Sequence, residues 1–354
     1  MNVITDWFKR QIANPQVVFL AAFLLALFLV IIYAGQMLMP VLAAIVIAYL
    51  LEGLIKRLTA WHIPRLLAIV LVLTLFMLFV LLVVLGLMPL VFSQAKQLVG
   101  QIPAMMADGQ ALLMRLPERY PELFSTEQVT DLIQAIRTQL TDFGQRALTG
   151  SLSSVFGVFT VVIYMVLMPI LVFFFLKDKD KIIAWLNKML PRDHQLAQRV
   201  WGDVDIQIGN YIRGKFWEIL IVWIACYLTF SFLGLHWAML LAVLVGLSVL
   251  IPYVGAVVVT LPVLLVGWFQ WGWSSEFIYL MIGYGIVQTL DGNLLVPLLF
   301  SEVNNLHPVA IILAVLVFGG LWGLWGVFFA IPLATLVQAV LQAWPKNEKP
   351  AENA

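Results

Sequence analysis

The sequence predicts an all-α polytopic membrane protein of about eight membrane segments, with two broken or re-entrant hairpin-like repeats in its C-terminal half. Three observations carry this. Of 354 residues, 63% are hydrophobic and 11% charged, against roughly 45–50% and about 25% in an ordinary soluble domain. Several apolar runs exceed the roughly 20 residues needed to cross a hydrocarbon core. An apolar phrase also recurs: Leu235-His236 followed by Leu241-Ala242-Val243-Leu244-Val245 returns as Leu306-His307 followed by Leu313-Ala314-Val315-Leu316-Val317. Each copy then meets a break, Ile251-Pro252-Tyr253-Val254-Gly255 in the first and Gly319-Gly320-Leu321-Trp322-Gly323-Leu324-Trp325-Gly326 in the second.

The N-terminal membrane helices occupy 1–92, with apolar runs at 17–34, 37–51 and 66–92. The polar start is not followed by a small-residue cleavage pattern, so the first run reads as a retained helix and not a removed leader. Lys9 and Arg10, then Lys56, Arg57 and Arg65, place those flanks in the cytoplasm. Residues 93–150 form a polar insert that this orientation puts outside the cytoplasm. Its first helix carries Leu98, Ile102, Met105, Leu112 and Leu116 and stops at the segment Pro117 to Pro121. A capping box from Ser125 to Gln128, stapled by Phe124 and Val129, opens the second. The pair is too small for a core of its own, so it must pack on itself, the membrane surface or a neighbouring subunit.

A membrane helix at 151–176 follows, and Lys177, Lys179 and Lys181 behind it agree with the same orientation. Residues 177–217 are cytoplasmic and amphipathic, suited to lie at the lipid headgroups or to move as a gate. The repeat region, 218–345, holds runs at 218–234, 237–269, 277–300 and 309–344, and 346–354 is a cytoplasmic tail with Lys346 and Lys349. The runs at 237–269 and 309–344 either cross once, kinked, or dip in and return. Lysine and arginine are too scarce in the connecting loops to decide. If both return, the single span between them inverts the second copy relative to the first.

Composition excludes much. A formal charge of +1 offers nucleic acid no basic stripe. One cysteine, Cys226, excludes an intrachain disulfide, and four scattered histidines give no metal-ligand spacing. No nucleophile motif, phosphate loop or dinucleotide fingerprint appears, so neither an enzyme nor a cofactor is expected.

The candidate path residues are those rare in lipid. Asp291 sits in the polar island from Gln288 to Pro297, which includes Asn293, and a carboxylate at the bilayer centre must face a cavity, a partner or a proton. Glu218 is a possible neighbour or a marker of the cytoplasmic edge. Arg213 and Lys215 are counter-charges for Asp291 or headgroup anchors. Pro252, Tyr253 and Gly255, with Gly320, Gly323 and Gly326, mark irregular backbone, which survives at membrane depth only when buried in protein or lining a wet cavity. Close helix packing through Gly319 and Gly323 is the alternative. His307, matched by His236, is a helix cap or a proton-coupled group.

The blocks Asn210-Tyr211-Ile212-Arg213-Gly214-Lys215, Ile251-Pro252-Tyr253-Val254-Gly255, Asp291-Gly292-Asn293-Leu294-Leu295-Val296-Pro297, Leu306-His307-Pro308 and Ala330-Ile331-Pro332-Leu333-Ala334 resemble, in order and spacing, the autoinducer-2 exporter family and its PerM-type permeases. The resemblance implies a polytopic inner-membrane transporter of a bacterium, homo-oligomeric, with pentamers among its members. It implies export of the signal autoinducer-2 in some members and sodium or lithium/proton antiport in others. Asp291 stands where the family commonly has glutamate, and Phe300 to Asn305 replaces a common glycine-containing basic loop. The expectation is a secondary transporter of a small polar solute, with cation/proton antiport as the alternative. A non-transporting scaffold that recruits partners through 93–150 is a third possibility.

Overall fold

The computed structural model describes residues 15–114, 127, 130–131, 133–134, 138, 155–189, 195–252, 254–300 and 306–343, and all ordered elements among them are helical. Helix α1, Pro15–Ala60, passes through Pro40. It ends where His62 takes a left-handed conformation, φ 65°. The amides of His62 and Ile63 bond the carbonyls of Thr59 and Leu58, closing the last turn as a Schellman motif. Helix α2, Arg65–Leu82, starts behind Pro64. Arg65 holds this corner by bonding Glu52 of α1 at 3.3 Å and the Leu176 carbonyl at 3.1 Å.

A π-helical turn, Val83–Leu87, leads α2 into α3, Met88–Leu113. The polar insert thus begins as a continuation of a span. Val91, Ala95, Leu98 and Met105 pack on the main core, and the Gln94 side chain accepts the Leu240 amide at 2.8 Å. This apolar face needs no second insert helix to cover it. The insert's capping box lies outside the described residues.

Helix α4, Val155–Lys177, packs with α1 and α2 around Ala44, Ile55, Ile69, Val172 and Leu176. The chain bends at Asp178 into the short amphipathic α5, Lys179–Met189. Lys181 bonds Asp178 at 2.8 Å and holds its carboxyl below the usual carboxylate range. Helix α6, Gln195–Leu233, turns from amphipathic to apolar without a break.

The repeat region follows: α7, Ala238–Ser248; α8, Val254–Trp271; α9, Ser275–Leu290; a π-turn, Asp291–Leu295; α10, Val296–Phe300; and α11, Pro308–Ala343. Among the described residues, four helices are long and apolar enough to cross a membrane: Met37–Ala60, Arg65–Ala111, Val204–Leu233 and Val254–Trp271. Shorter apolar helices are Val166–Lys177, Ala238–Ser248, Pro308–Gly323 and Trp325–Ala339. Large apolar side chains such as Phe232 and Val257 lie exposed on these helices, as expected of a lipid-facing surface.

The side chain of Gln270, at the end of α8, accepts the His236 amide at 2.7 Å and donates to the Gly234 carbonyl at 2.7 Å, just before α7 begins. The far end of α8 therefore returns to the entrance of α7, and the two form an antiparallel hairpin. At its tip a Cβ on Gly255 would collide with the Ser248 carbonyl. In α11 the break falls at Gly323, φ 59° and ψ −136°, a combination reserved in practice for glycine. There a Cβ on Gly326 would collide with the Phe318 carbonyl. Eight residues of straight helix would separate that pair by about 12 Å, so the chain folds back here too. Gly326 stands as far beyond His307 as Gly255 stands beyond His236.

Candidate functional site

A cavity of about 250 Å³ opens where the first hairpin tip, α6, the Asp291 turn and α11 meet. Val249, Ile251, Pro252 and Ala256 come from the tip, and Tyr211, Lys215 and Glu218 from α6. Gln288, Asp291, Gly292, Val296 and Phe300 come from the α9–α10 crossing, and Ile311 and Ile331 from the two arms of α11.

The α6 contribution is a matter of phase. Tyr211, Lys215, Glu218 and Val222 recur at three- and four-residue intervals, so they share one face, and all are buried. Arg213 lies two positions from Lys215, about 200° around the helix. Its guanidinium bonds Asn210 at 2.7 Å, and its side chain covers Gly53 of α1 and Gly209. The cation at the cavity is Lys215.

Lys215 Nζ donates to Glu218 Oε2 at 2.7 Å and stands 5.3 Å from the Phe300 ring centroid. Phe300 occupies the space that the bare backbone of Gly214 leaves open. Asp291 is buried, and its Oδ1 has no hydrogen-bond partner. Two carboxylates thus face one ammonium, leaving one negative charge to be met by a proton, a cation or a positive group on a solute. A buried carboxylate left unmatched costs several kcal/mol by general estimates.

Asp291 opens a π-turn, a local widening common at functional sites. The neighbouring carbonyls are satisfied by side chains: Thr289 donates to the Gly285 carbonyl at 2.7 Å and Asn293 to the Thr289 carbonyl at 2.9 Å. Asn293 is exposed and does not line the cavity. Gln288 does line it and reaches the Tyr284 hydroxyl at 3.0 Å.

Of the break residues, Pro252 lines the cavity, Gly255 is buried against the Ser248 carbonyl, and Tyr253 lies outside the described residues. Gly320 and Gly323 are exposed, while Gly326 is buried against the Phe318 carbonyl. The second break supplies its neighbours Ile311 and Ile331 to the wall, not its glycines. His307 is exposed and its Nδ1 accepts the Val309 amide at 3.3 Å, a cap on α11.

Tyr211 emerges here as a cavity residue alongside those foreseen, and of the two candidate counter-charges it is Lys215 that lines the cavity. Tyr211 stands four residues before Lys215 and seven before Glu218, and that helical spacing is the sequence signal that marks it. Among the described residues no cluster of histidine, cysteine or carboxylates could hold a metal ion.

Apolar helices, hairpins that fold back and a small charged cavity define a multi-pass helical membrane protein. The chain belongs to the AI-2E transporter family, whose model matches residues 19–346. It is 44% identical over 348 residues to PerM of Escherichia coli (strain K12), called there a candidate permease, covering 98% of this chain and 99% of that protein. YueF of Bacillus subtilis (strain 168), called a candidate transport protein, is 29% identical over 314 residues, 87% of this chain and 84% of YueF. TqsA of Escherichia coli (strain K12), called an AI-2 transport protein, is 22% identical over 320 residues, 88% of this chain and 87% of TqsA.

Proposed function

We propose that this chain is a secondary transporter of the bacterial inner membrane, with the Arg65 corner and the C-terminus cytoplasmic, that exports a small polar solute of the autoinducer-2 type. The observation that carries the reading is the cavity itself, in which Asp291 and Glu218 face the single cation Lys215 beside a broken hairpin. At about 250 Å³ it is smaller than the roughly 300–1,000 Å³ of sites for drug-sized ligands. A small solute suits that volume, and the name of TqsA supplies the candidate. The sequence has no phosphate-binding loop, so the driving force is a gradient or the solute's own.

In this reading Asp291 changes its charge during each cycle, by proton or by solute, while Lys215 and Glu218 remain paired. The hairpin α7–α8 enters from the extracytoplasmic side and that of α11 from the cytoplasmic side, because one crossing, α9 to α10, lies between them. The protein assembles as a homo-oligomer within the bilayer.

The test is efflux of autoinducer-2 from proteoliposomes holding wild type or Asp291→Asn, with and without an imposed proton gradient. Wild type is expected to respond to the gradient and Asp291→Asn to lose that response. Equal retention with and without protein would remove the solute from consideration. A second reading, sodium or lithium/proton antiport, is favoured by the unpartnered Oδ1 of Asp291. Proton movement on adding sodium or lithium, read by a pH dye inside the same vesicles, supports it only if Asp291→Asn abolishes the signal.

A further inference from the structure

Two buried tyrosines, one on α6 and one on α9, hold one hairpin apiece. Tyr211 of α6 donates its hydroxyl proton to the Phe328 carbonyl at 3.2 Å, two residues past Gly326. Its ring packs on those of Phe300 and Phe328, with centroids 5.9 and 6.3 Å away. Tyr284 of α9 makes two bonds, and counting protons fixes their direction. Gln288 Nε2 donates to the Tyr284 hydroxyl at 3.0 Å. Thr260 spends its own proton on the Ala256 carbonyl at 2.7 Å. The remaining 3.0 Å contact between Tyr284 and Thr260 must therefore be donated by Tyr284.

The result is a one-way chain from Gln288 through Tyr284 and Thr260 to Ala256. It begins and ends on the cavity wall, since Gln288 and Ala256 both line it. Ala256 follows Gly255 directly, so this chain grips the returning arm of the first hairpin immediately after its break. Tyr211 grips the returning arm of the second hairpin at Phe328, two residues past Gly326, as Tyr284 grips that of the first at Thr260, five past Gly255. The Phe328 carbonyl has no helical donor of its own, because the residue four positions on is Pro332 and lacks an N–H, so Tyr211 supplies that proton from α6. Tyr284 donates to the side-chain hydroxyl of Thr260.

We infer that Tyr284 and Tyr211 are paired latches that position the two hairpins against the cavity, each controlling access from one side of the membrane. The inference rests on the proposed arrangement in which the hairpins enter from opposite faces. Losing one neutral hydrogen bond shifts an open-to-closed ratio by about two- to tenfold. Each phenol should therefore alter access from its own hairpin's side and leave the other side unchanged.

The experiment places a reporter thiol in the cavity by Gly292→Cys, where a Cβ meets nothing within 4 Å, in full-length protein carrying Cys226→Ala. A membrane-impermeant maleimide is applied to right-side-out and inside-out vesicles. Tyr284→Phe is expected to raise labelling about two- to tenfold from one side and Tyr211→Phe by a similar factor from the other. Thr260→Val, which removes the acceptor, should reproduce Tyr284→Phe. Hydrogen exchange gives the second measurement: Tyr211→Phe should speed exchange around 318–328 and not around 248–256, and Tyr284→Phe the reverse. Increases from the same side for both variants, or unchanged labelling and exchange in folded variants, would overturn the latches. No transport is measured, so the outcome is separate from the identity of the solute. An inverted orientation of the whole chain would swap the two sides but keep them opposite.

Discussion

Lys215 bonds Glu218 at 2.7 Å, one turn away on α6, with side chains 6% and 3% exposed. Asp291, which shares their cavity, is left without that partner. Breaking a buried pair from one side strands a charge and costs about 3–5 kcal/mol, whereas removing both partners is often near neutral. Lys215→Met alone leaves two carboxylates and no cation. Lys215→Met combined with Glu218→Gln restores the single net negative charge of the native site. The double variant is therefore expected to unfold at a higher temperature than the single one. Additive losses, followed by thermal unfolding in detergent, would show that the cavity does not register its net charge.

The glycines at the hairpin tips predict a sharp contrast. Gly255→Ala and Gly326→Ala drive a methyl into the Ser248 and Phe318 carbonyls, which are backbone atoms and cannot swing aside. Each should cost at least the roughly 1–3 kcal/mol of overpacking and spread its hairpin. Gly285→Ala, whose new Cβ meets nothing within 4 Å, should be neutral or stabilise α9 by up to about 1 kcal/mol. Thermal unfolding of the three variants side by side decides it. Equal tolerance would mean that the tips are not closely folded.

These positions also show what the sequence could reveal. The doubled breaks were legible because Gly and Pro interrupt runs that are otherwise apolar. Whether the runs return was not legible, because orientation is read from lysine and arginine and the loops near 234 and 272 carry neither. The answer lies in a long-range pairing, Gln270 to Gly234 and His236, that no local pattern encodes. Asp291 was visible as a lone carboxylate in an apolar run. The choice between Arg213 and Lys215 depended on which face of α6 turns toward Asp291, which long-range packing decides.

Gln270 predicts a local effect. Its amide meets one donor and one acceptor, His236 N–H and Gly234 O. Leucine can serve neither, and glutamate keeps the acceptor alone. The loss per bond is about 0.5–1.5 kcal/mol, at the low end because the site is exposed. Hydrogen exchange at 234–238 should therefore quicken in the order wild type, Gln270→Glu, Gln270→Leu. An unchanged pattern in Gln270→Leu would show that the hairpin ends are held by apolar packing alone.

The remaining prediction concerns acid and base at Asp291. If its carboxyl must be neutral on one limb of the cycle and ionised on the other, transport falls at both extremes of pH and peaks between them, as for any group needed in two protonation states. Below the peak the proton is not released, and above it the proton is not regained. Asp291→Asn fixes the neutral form, so the alkaline fall should disappear along with most of the turnover. Asp291→Glu keeps the titration and lengthens the side chain by one methylene in a cavity of about 250 Å³, so the bell should persist, displaced in pH and reduced in height. Initial efflux rates across a pH series in proteoliposomes give all three curves. A bell that survives unchanged in Asp291→Asn would transfer the coupling to Glu218, the other carboxylate in the cavity.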